Sequence, residues 1–185
     1  MASIVDICNR ALSKLGQIRI TSLTDNNKAA KACNHAYEYV RDAVLRDHVW
    51  NCTMARVQLA PLSTAPSFGF DYAYQQPSDC IKVVEVDTSY PWTVEGREIL
   101  TDQGTTLNVR YQKREEDPNQ YDPLLLEALA AKLAYELAEE LTQSNSKKDE
   151  AMRDYASTLS QAKLRDAQEQ SPAELYEDDW INVRY

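Results

Sequence analysis

The sequence predicts an α+β fold: a helical bundle built from both chain ends, an inserted antiparallel β meander or sandwich-like unit, and a flexible C-terminal tail. Three observations lead there. Apolar residues recur at helical spacing up to about residue 52 and again from about 121, while the stretch between is β-branched and aromatic. Glycine is scarce, 4 in 185 residues, while Ala, Leu and Glu are plentiful, which favours helix outside that stretch. Pro61, Pro66, Pro77, Gly96 and Gly104 punctuate the middle into short runs. The expected organisation is a helical domain from residues 1–52 and 121–170, a β domain at 53–120, and a docking tail at 171–185.

Each element has a local reason. The first helix is expected at 4–15. Ser3 can cap it, Asp6 completes a capping box, and Gly16 is a fitting residue just past its end. The second is expected from about Asp25 to Trp50 with Thr24 as cap, and Ala30, Cys33, Tyr37, Val40 and Val44 form its apolar stripe. The runs "MARVQLA", "FDYAYQQ", "CIKVVEVD", "REILT" and "TLNVRYQ" read as strands, with "VEGRE" and "TDQGTT" as turns. Asp122-Pro123 is an N-cap followed by Pro at the first helical position, and "LLLEALAAKLAYELAEELT" follows with apolar residues on two faces. After "QSNS", Ser146 and Asp149 suggest a capping box for a fourth helix at about 147–169, with Met152, Tyr155, Leu159 and Ala162 facing inward.

Composition narrows the function. A formal charge of −9 disfavours a sequence-reading DNA binder, which needs a basic footprint. The mildly basic start (Arg10, Lys14, Arg19, Lys28, Lys31) suggests a helix-turn-helix only weakly, because Asp42 and Asp47 interrupt the long second helix. No apolar run approaches the roughly 20 residues of a membrane span, and the N-terminal residues lack the layout of a secretion signal. No membrane contact is therefore expected, and synthesis and assembly are expected in a cytoplasm. Cys8, Cys33, Cys52 and Cys80 lie far apart in apolar patterns and read as buried thiols.

The spacing of reactive residues offers few sites. Cys33-x-His35 and His48-x-x-x-Cys52 resemble a zinc quartet on paper. On one helix, however, positions 33 and 48 lie about 22 Å apart, and zinc ligands must reach one point within about 2.0–2.3 Å. No metal and no cofactor are expected. The acidic pairs Glu115–Glu116, Glu139–Glu140 and Asp178–Asp179 read as solvated faces, and no nucleophile or phosphate-loop motif is present. No enzymatic activity is expected; a small hydrolytic or ligand-binding module is the alternative.

Several stretches in series carry a resemblance: "ALSKLGQIRITSLTDNNKAAKACN", "YVRDAVLRDHVWNCTMARVQLAPL", "FGFDYAYQQPSDCIKVVEV", "VEGREILTD", "LNVRYQKR" and "ALAAKLAYELAEELTQS". The most specific are the "RD-x-x-LR-x-x-x-W" end of the second helix, the "Y-x-x-PSDC-x-x-V" strand entry and the "EGR-x-IL" hairpin. Together, over about residues 3–169, the chain resembles the tail tubular protein A family of short-tailed bacteriophages. The resemblance implies a structural head-to-tail adaptor of the virion tail, in a ring of about twelve copies. It implies a portal protein above, a nozzle below, fibres or spikes at the periphery, and genomic DNA passing through the lumen without sequence-specific binding.

On that footing three sets of residues are candidate contacts. Arg153, Lys163 and Arg165, set against Asp154, Asp166 and Glu169, suit a side-to-side subunit interface. Phe68, Phe70, Tyr90 and Trp92, in loops beside turn residues, suit the nozzle or fibres. Leu175, Tyr176, Trp180, Ile181, Val183 and Tyr185, with Asp178 and Asp179 facing a basic partner, suit docking on the portal or the next subunit. A tail folded back on its own subunit is the other reading.

Overall fold

In the computed structural model, residues 2–169 are described. Among them are four α-helices and two small antiparallel sheets, a mixed α+β chain. Helix α1 spans Ile4–Lys14 and carries the expected capping box. The Ser3 hydroxyl accepts the Asp6 amide at 3.1 Å, and the Asp6 carboxylate accepts the Ser3 amide at 3.0 Å. At its other end Gly16 sits at φ 71°. The Gln17 and Gly16 amides return to the carbonyls of Leu12 and Ser13 at 2.9 and 3.1 Å, a Schellman ending.

Helix α2 spans Lys28–Asp47, shorter than expected at both ends. Its cap is Asn27, whose Oδ1 accepts the Ala30 amide at 2.7 Å. Thr24 loses the role because Asp25 folds back instead, accepting the amides of Thr21 and Ser22 at 2.9 and 3.2 Å. The helix stops at His48, whose backbone is extended, and a single 3-10 turn at Asn51–Thr53 leads into the sheets. Helix α3, Pro123–Thr142, starts as expected: the Asp122 carboxylate accepts the Leu124 amide at 2.7 Å. It ends at Gln143, which is left-handed at φ 51°. Helix α4, Asn145–Gln168, begins two residues earlier than expected, capped by Ser144 rather than by a Ser146–Asp149 box.

Helix α3 packs against α1, α2 and α4, which is why both of its faces are apolar. Leu125, Leu129, Leu133 and Leu137 are buried, and Ala128, Ala130, Ala131, Ala134 and Ala138 let the neighbouring helices come close. Helix α4 meets it through Ala151, Tyr155, Leu159 and Ala162. Met152, expected inside, is 56% exposed: the stripe runs through its neighbour Ala151.

The strands are β1 Met54–Leu59, β2 Tyr72–Gln75, β3 Cys80–Asp87, β4 Trp92–Glu95, β5 Glu98–Thr101 and β6 Leu107–Lys113. They form sheets ordered β1-β6-β3 and β2-β5-β4. This corrects the expected meander. All pairings are antiparallel, but β1 and β3 flank the distant β6, so "TDQGTT" carries the chain from one sheet to the other. β4 falls in a stretch read as loop. One buried cluster draws on both sheets: Tyr74 and Ile99 from one, Cys80, Val86, Leu107, Val109 and Tyr111 from the other.

Helices and sheets meet at the end of α2. Gln112 of β6 is fully buried, and its Nε2 donates to the carbonyls of Leu45 and His48 at 2.5 and 2.8 Å. The Trp50 indole donates to the Val44 carbonyl at 3.0 Å, and Arg46 donates to the Ile81 carbonyl in β3. Asp166 of α4 accepts the Asn51 amide at 3.0 Å and lies 3.0 Å from the His48 ring.

Two predictions follow from these contacts. Gln112→Met keeps the volume but strips two buried carbonyls of their donor, so urea unfolding should show a loss of about 1–3 kcal/mol; an unchanged midpoint would refute the role of that amide. At the start of α1, hydrogen bonds from the Ser3 hydroxyl and amide hold the Asp6 carboxyl below its ordinary value. A depressed folded pKa stabilises above the unfolded value and loses that stabilisation as pH falls through the folded one. Asp6→Asn should therefore lower Tm at neutral pH, with the difference from the parent narrowing as the pH falls below about 4.

Candidate functional site

The first candidate surface is the outer sheet β2-β5-β4. Cross-strand partners share a face, so Tyr72, Thr101 and Trp92 form one row and Tyr74, Ile99 and Val94 the next. The centre of this face is buried: Thr101, Tyr74 and Ile99 are inaccessible. Its margins are not, with Tyr72 37%, Trp92 39% and Val94 43% exposed. Pro91 leads into β4, and its carbonyl accepts the Thr101 hydroxyl at 3.0 Å. Tyr90, just before it, is 51% exposed, and its amide donates to the Thr88 hydroxyl at 3.1 Å. Gly104 lies under the Tyr72 ring, where a Cβ would come within 2.7 Å of Cζ. Phe68 is 89% exposed. Phe70 is half-buried, less exposed than the other three loop aromatics.

The hairpin carrying this edge is fixed by two motifs in contact. Gly96 has φ 58° as the first of two loop residues between paired Glu95 and Glu98, the conformation a primed turn asks of it. Arg97 then reaches the "PSDC" entry, its Nη2 donating to the carbonyls of Pro77 and Ser78 at 2.6 and 3.2 Å.

The second surface is the outer face of α4. Arg153 and Arg165 are exposed and, among the described residues, bond only within their own helix segment, to the Asp149 carbonyl at 3.2 Å and to Gln168 at 3.1 Å. Exposed Met152 and Leu164 accompany them. Lys163 differs: it lies 3.6 Å from Asp47 of α2, so it is engaged inside the chain. Of the three acids expected to alternate with these cations, Glu169 is exposed, and the other two engage the body of the chain. Asp154 pairs with Lys14 of α1 at 2.7 Å, and Asp166 is buried against His48 and Asn51. Residues Leu175, Tyr176, Asp178, Asp179, Trp180, Ile181, Val183 and Tyr185 lie outside the described residues.

The chemical candidates disperse. Cys33 is buried, His35 is exposed, His48 faces Asp166, and Cys52 is half-buried. Among the described residues no three His, Cys, Asp or Glu side chains gather as a metal would require. Glu115 pairs with Lys113 at 2.6 Å, and Glu139 with Lys148 at 2.5 Å. Arg10 pairs with Glu127, and Lys28 donates to the Glu140 carbonyl at 2.5 Å, so much of the basic N-terminal stretch is tied to α3. Among the described residues no helix is long and apolar enough to cross a membrane.

Three of the four thiols are held as thiols; the pKa of Cys33 is instead lowered by its hydrogen bond with Cys8, and Cys33 is fully buried. A hydrogen bond with Cys33, together with burial, pushes the Cys8 thiol far up, and burial pushes Cys52 and Cys80 up. At neutral pH the native chain should react with an aromatic disulfide reagent at least tenfold more slowly than the guanidinium-unfolded chain, which should release four equivalents. A fast native equivalent would reveal an activated cysteine. Compared with models of known protein families and with curated proteins, the chain matches none.

Proposed function

We propose that this protein is a structural head-to-tail adaptor of a phage tail, a ring-forming subunit that joins the portal to the nozzle and encloses the channel for DNA ejection. It acts by contact and not as an enzyme. The observation that carries the reading is how the surface is divided. The very apolar α3 is covered by the chain's own helices, while several exposed apolar and cationic groups lie on two other faces. One is the aromatic margin of β2-β5-β4, the other the outer face of α4. A ring subunit needs such a pair: one surface for its neighbours and one for the next component along the axis.

In this reading 1–52 with 121–170 form a helical bundle domain and 53–120 a sandwich-like β domain. Residues 171–185 dock on the portal or on a neighbouring subunit. Arg153 and Arg165 face an acidic surface of the neighbouring copy, and Phe68, Tyr90 and Trp92 meet the nozzle or fibres. The chain carries −9, so a ring of such subunits presents DNA with a lumen that is acidic or neutral and does not hold phosphate. In each described carboxylate pair one member is engaged by a lysine, Glu115 by Lys113 and Glu139 by Lys148.

Electron microscopy of the chain mixed with its portal tests this directly, and a ring seen along the tail axis is the expected image. Arg153→Glu combined with Arg165→Glu should weaken assembly on the portal at least tenfold and leave circular dichroism and Tm of the free chain unchanged. Phe68→Ser with Tyr90→Ser should spare portal assembly and lose the nozzle. Clearing of peptidoglycan by the purified chain would instead favour the hydrolytic reading.

A further inference from the structure

The polar face of sheet β1-β6-β3 is a surface of a different kind. Cross-strand rows place Arg56 opposite Arg110, and Gln58 opposite Asn108, on the side away from the sheet core. Like charges directly opposite one another destabilise a sheet unless something offsets them. Glu85 does so in part, 3.3 Å from Arg110 Nη1. The Arg110 Nε is buried and makes no hydrogen bond among the described residues. Arg56 is exposed and forms no ion pair among them, and neither does Lys82, one row away opposite Gln112. Asp87 is already taken by the Asn108 amide at 3.1 Å. Arg56, Gln58, Glu85, Asp87, Asn108 and Arg110 line an open concavity of about 420 Å³. An acidic chain therefore carries a sheet face with three cations, only one of them paired.

The place where the described chain ends points to what covers this face. Asp166, two residues before the end of α4, binds Asn51 through both its carboxylate and its backbone carbonyl. Asn51 is three residues before β1, and the Gln112 side chain anchors the same end of the face. The chain thus leaves α4 beside the first row of the sheet, and Arg56 lies two residues, about 7 Å, further along. The following segment carries Glu174, Glu177, Asp178 and Asp179 against a single arginine, Arg184. From Gln168 to Glu177, nine residues of extended chain span about 30 Å, more than enough to cross three rows.

We infer that, in the free chain, the acidic C-terminal segment 171–185 lies across the polar face of β1-β6-β3, its carboxylates bridging Arg56 and Arg110. The inference concerns the isolated chain and stands whether or not the protein builds a ring. Tethering beside its own sheet gives the segment an effective concentration in the millimolar range, which favours this chain's face over that of another copy.

The test uses a chain ending at Gln170 and a synthetic peptide of residues 171–185, titrated by calorimetry at low salt. The peptide should bind the shortened chain, weaken with added salt, and bind the full chain at least tenfold more weakly because its face is occupied. Arg56→Glu with Arg110→Glu in the shortened chain should reduce peptide affinity at least tenfold. Arg56→Gln alone, at an exposed position on an edge strand, should reduce it severalfold, so the outcome does not hinge on whether the double variant folds. Equal peptide affinity for parent and R56Q, or no binding to the shortened chain, overturns the inference. A concentration-dependent dimer of the full chain that disappears on shortening would assign the segment to a second copy and overturn its placement on its own sheet.

Discussion

The end of α2 is the point on which the rest of the structure depends. A helix C-terminus leaves its last carbonyls without partners, and burying them without donors is costly. Here the donors come from elsewhere in the chain. Gln112 of β6 serves Leu45 and His48, and the Trp50 indole serves Val44. Asp166 of α4 holds Asn51, just beyond. The helix end is thereby satisfied only with β6 in place, and the turn just beyond it is held by α4. Arg46, in the same last turn, adds β3 through the Ile81 carbonyl. The orientation of the sheets on the helices is thus set by hydrogen-bond satisfaction more than by a broad apolar interface.

The motifs that carry the phage-adaptor resemblance are concentrated at this seam and in its support. In "RD-x-x-LR-x-x-x-W", Asp42 pairs with Arg114 at 2.9 Å, Arg46 reaches β3, and Trp50 is fully buried. "PSDC" and "EGR-x-IL" touch through Arg97, and Asp79 accepts the Tyr111 hydroxyl at 3.2 Å. Their occurrence together therefore has one physical cause: they specify how two sheets sit on each other and on α2. What such motifs transmit is an arrangement of elements. The surfaces that arrangement leaves open include the aromatic margin of β2-β5-β4 and the outer face of α4.

Local features were legible in the sequence, and distant pairings were not. The box of Ser3 and Asp6, the ending at Gly16 and the Asp122-Pro123 start each involve residues within a few positions, and each is present. The start of α2 was misplaced because Thr24 and Asn27 are comparable caps, and Asp25 decides between them by closing a turn upstream. β4 is four residues long behind a proline, too short for an alternation to register. The partnership of β1 with β6 joins residues more than 40 apart, and no periodicity encodes it. Among the site residues, exposure of Phe68 and Tyr90 followed from the turns around them. The inward turn of Lys163 depended on Asp47 in another helix. The cationic rows of β1-β6-β3 were missed altogether, because Arg56 and Arg110 become neighbours only through that same long-range pairing.

The sorting of charge on α4 adds a last constraint. Asp154 and Asp166 face the body of the chain, while Arg153 and Arg165 face out. Exposed ion pairs contribute about 0–1 kcal/mol each, so stability alone gives little reason to keep cations on the outer face. The same sorting recurs on β1-β6-β3, where Asp87 is absorbed by Asn108 and Arg56 is left free of any ion pair among the described residues. On a chain of net charge −9, diffuse repulsion between copies opposes association, and it is screened beyond about 8 Å at physiological salt. Local cationic patches reverse its sign at short range. Two copies then approach most readily where the arginines of one meet the carboxylates of the other. That asymmetric, head-to-tail geometry gives a ring when its rotation closes and an open filament when it does not, whereas a self-complementary patch stops at a dimer.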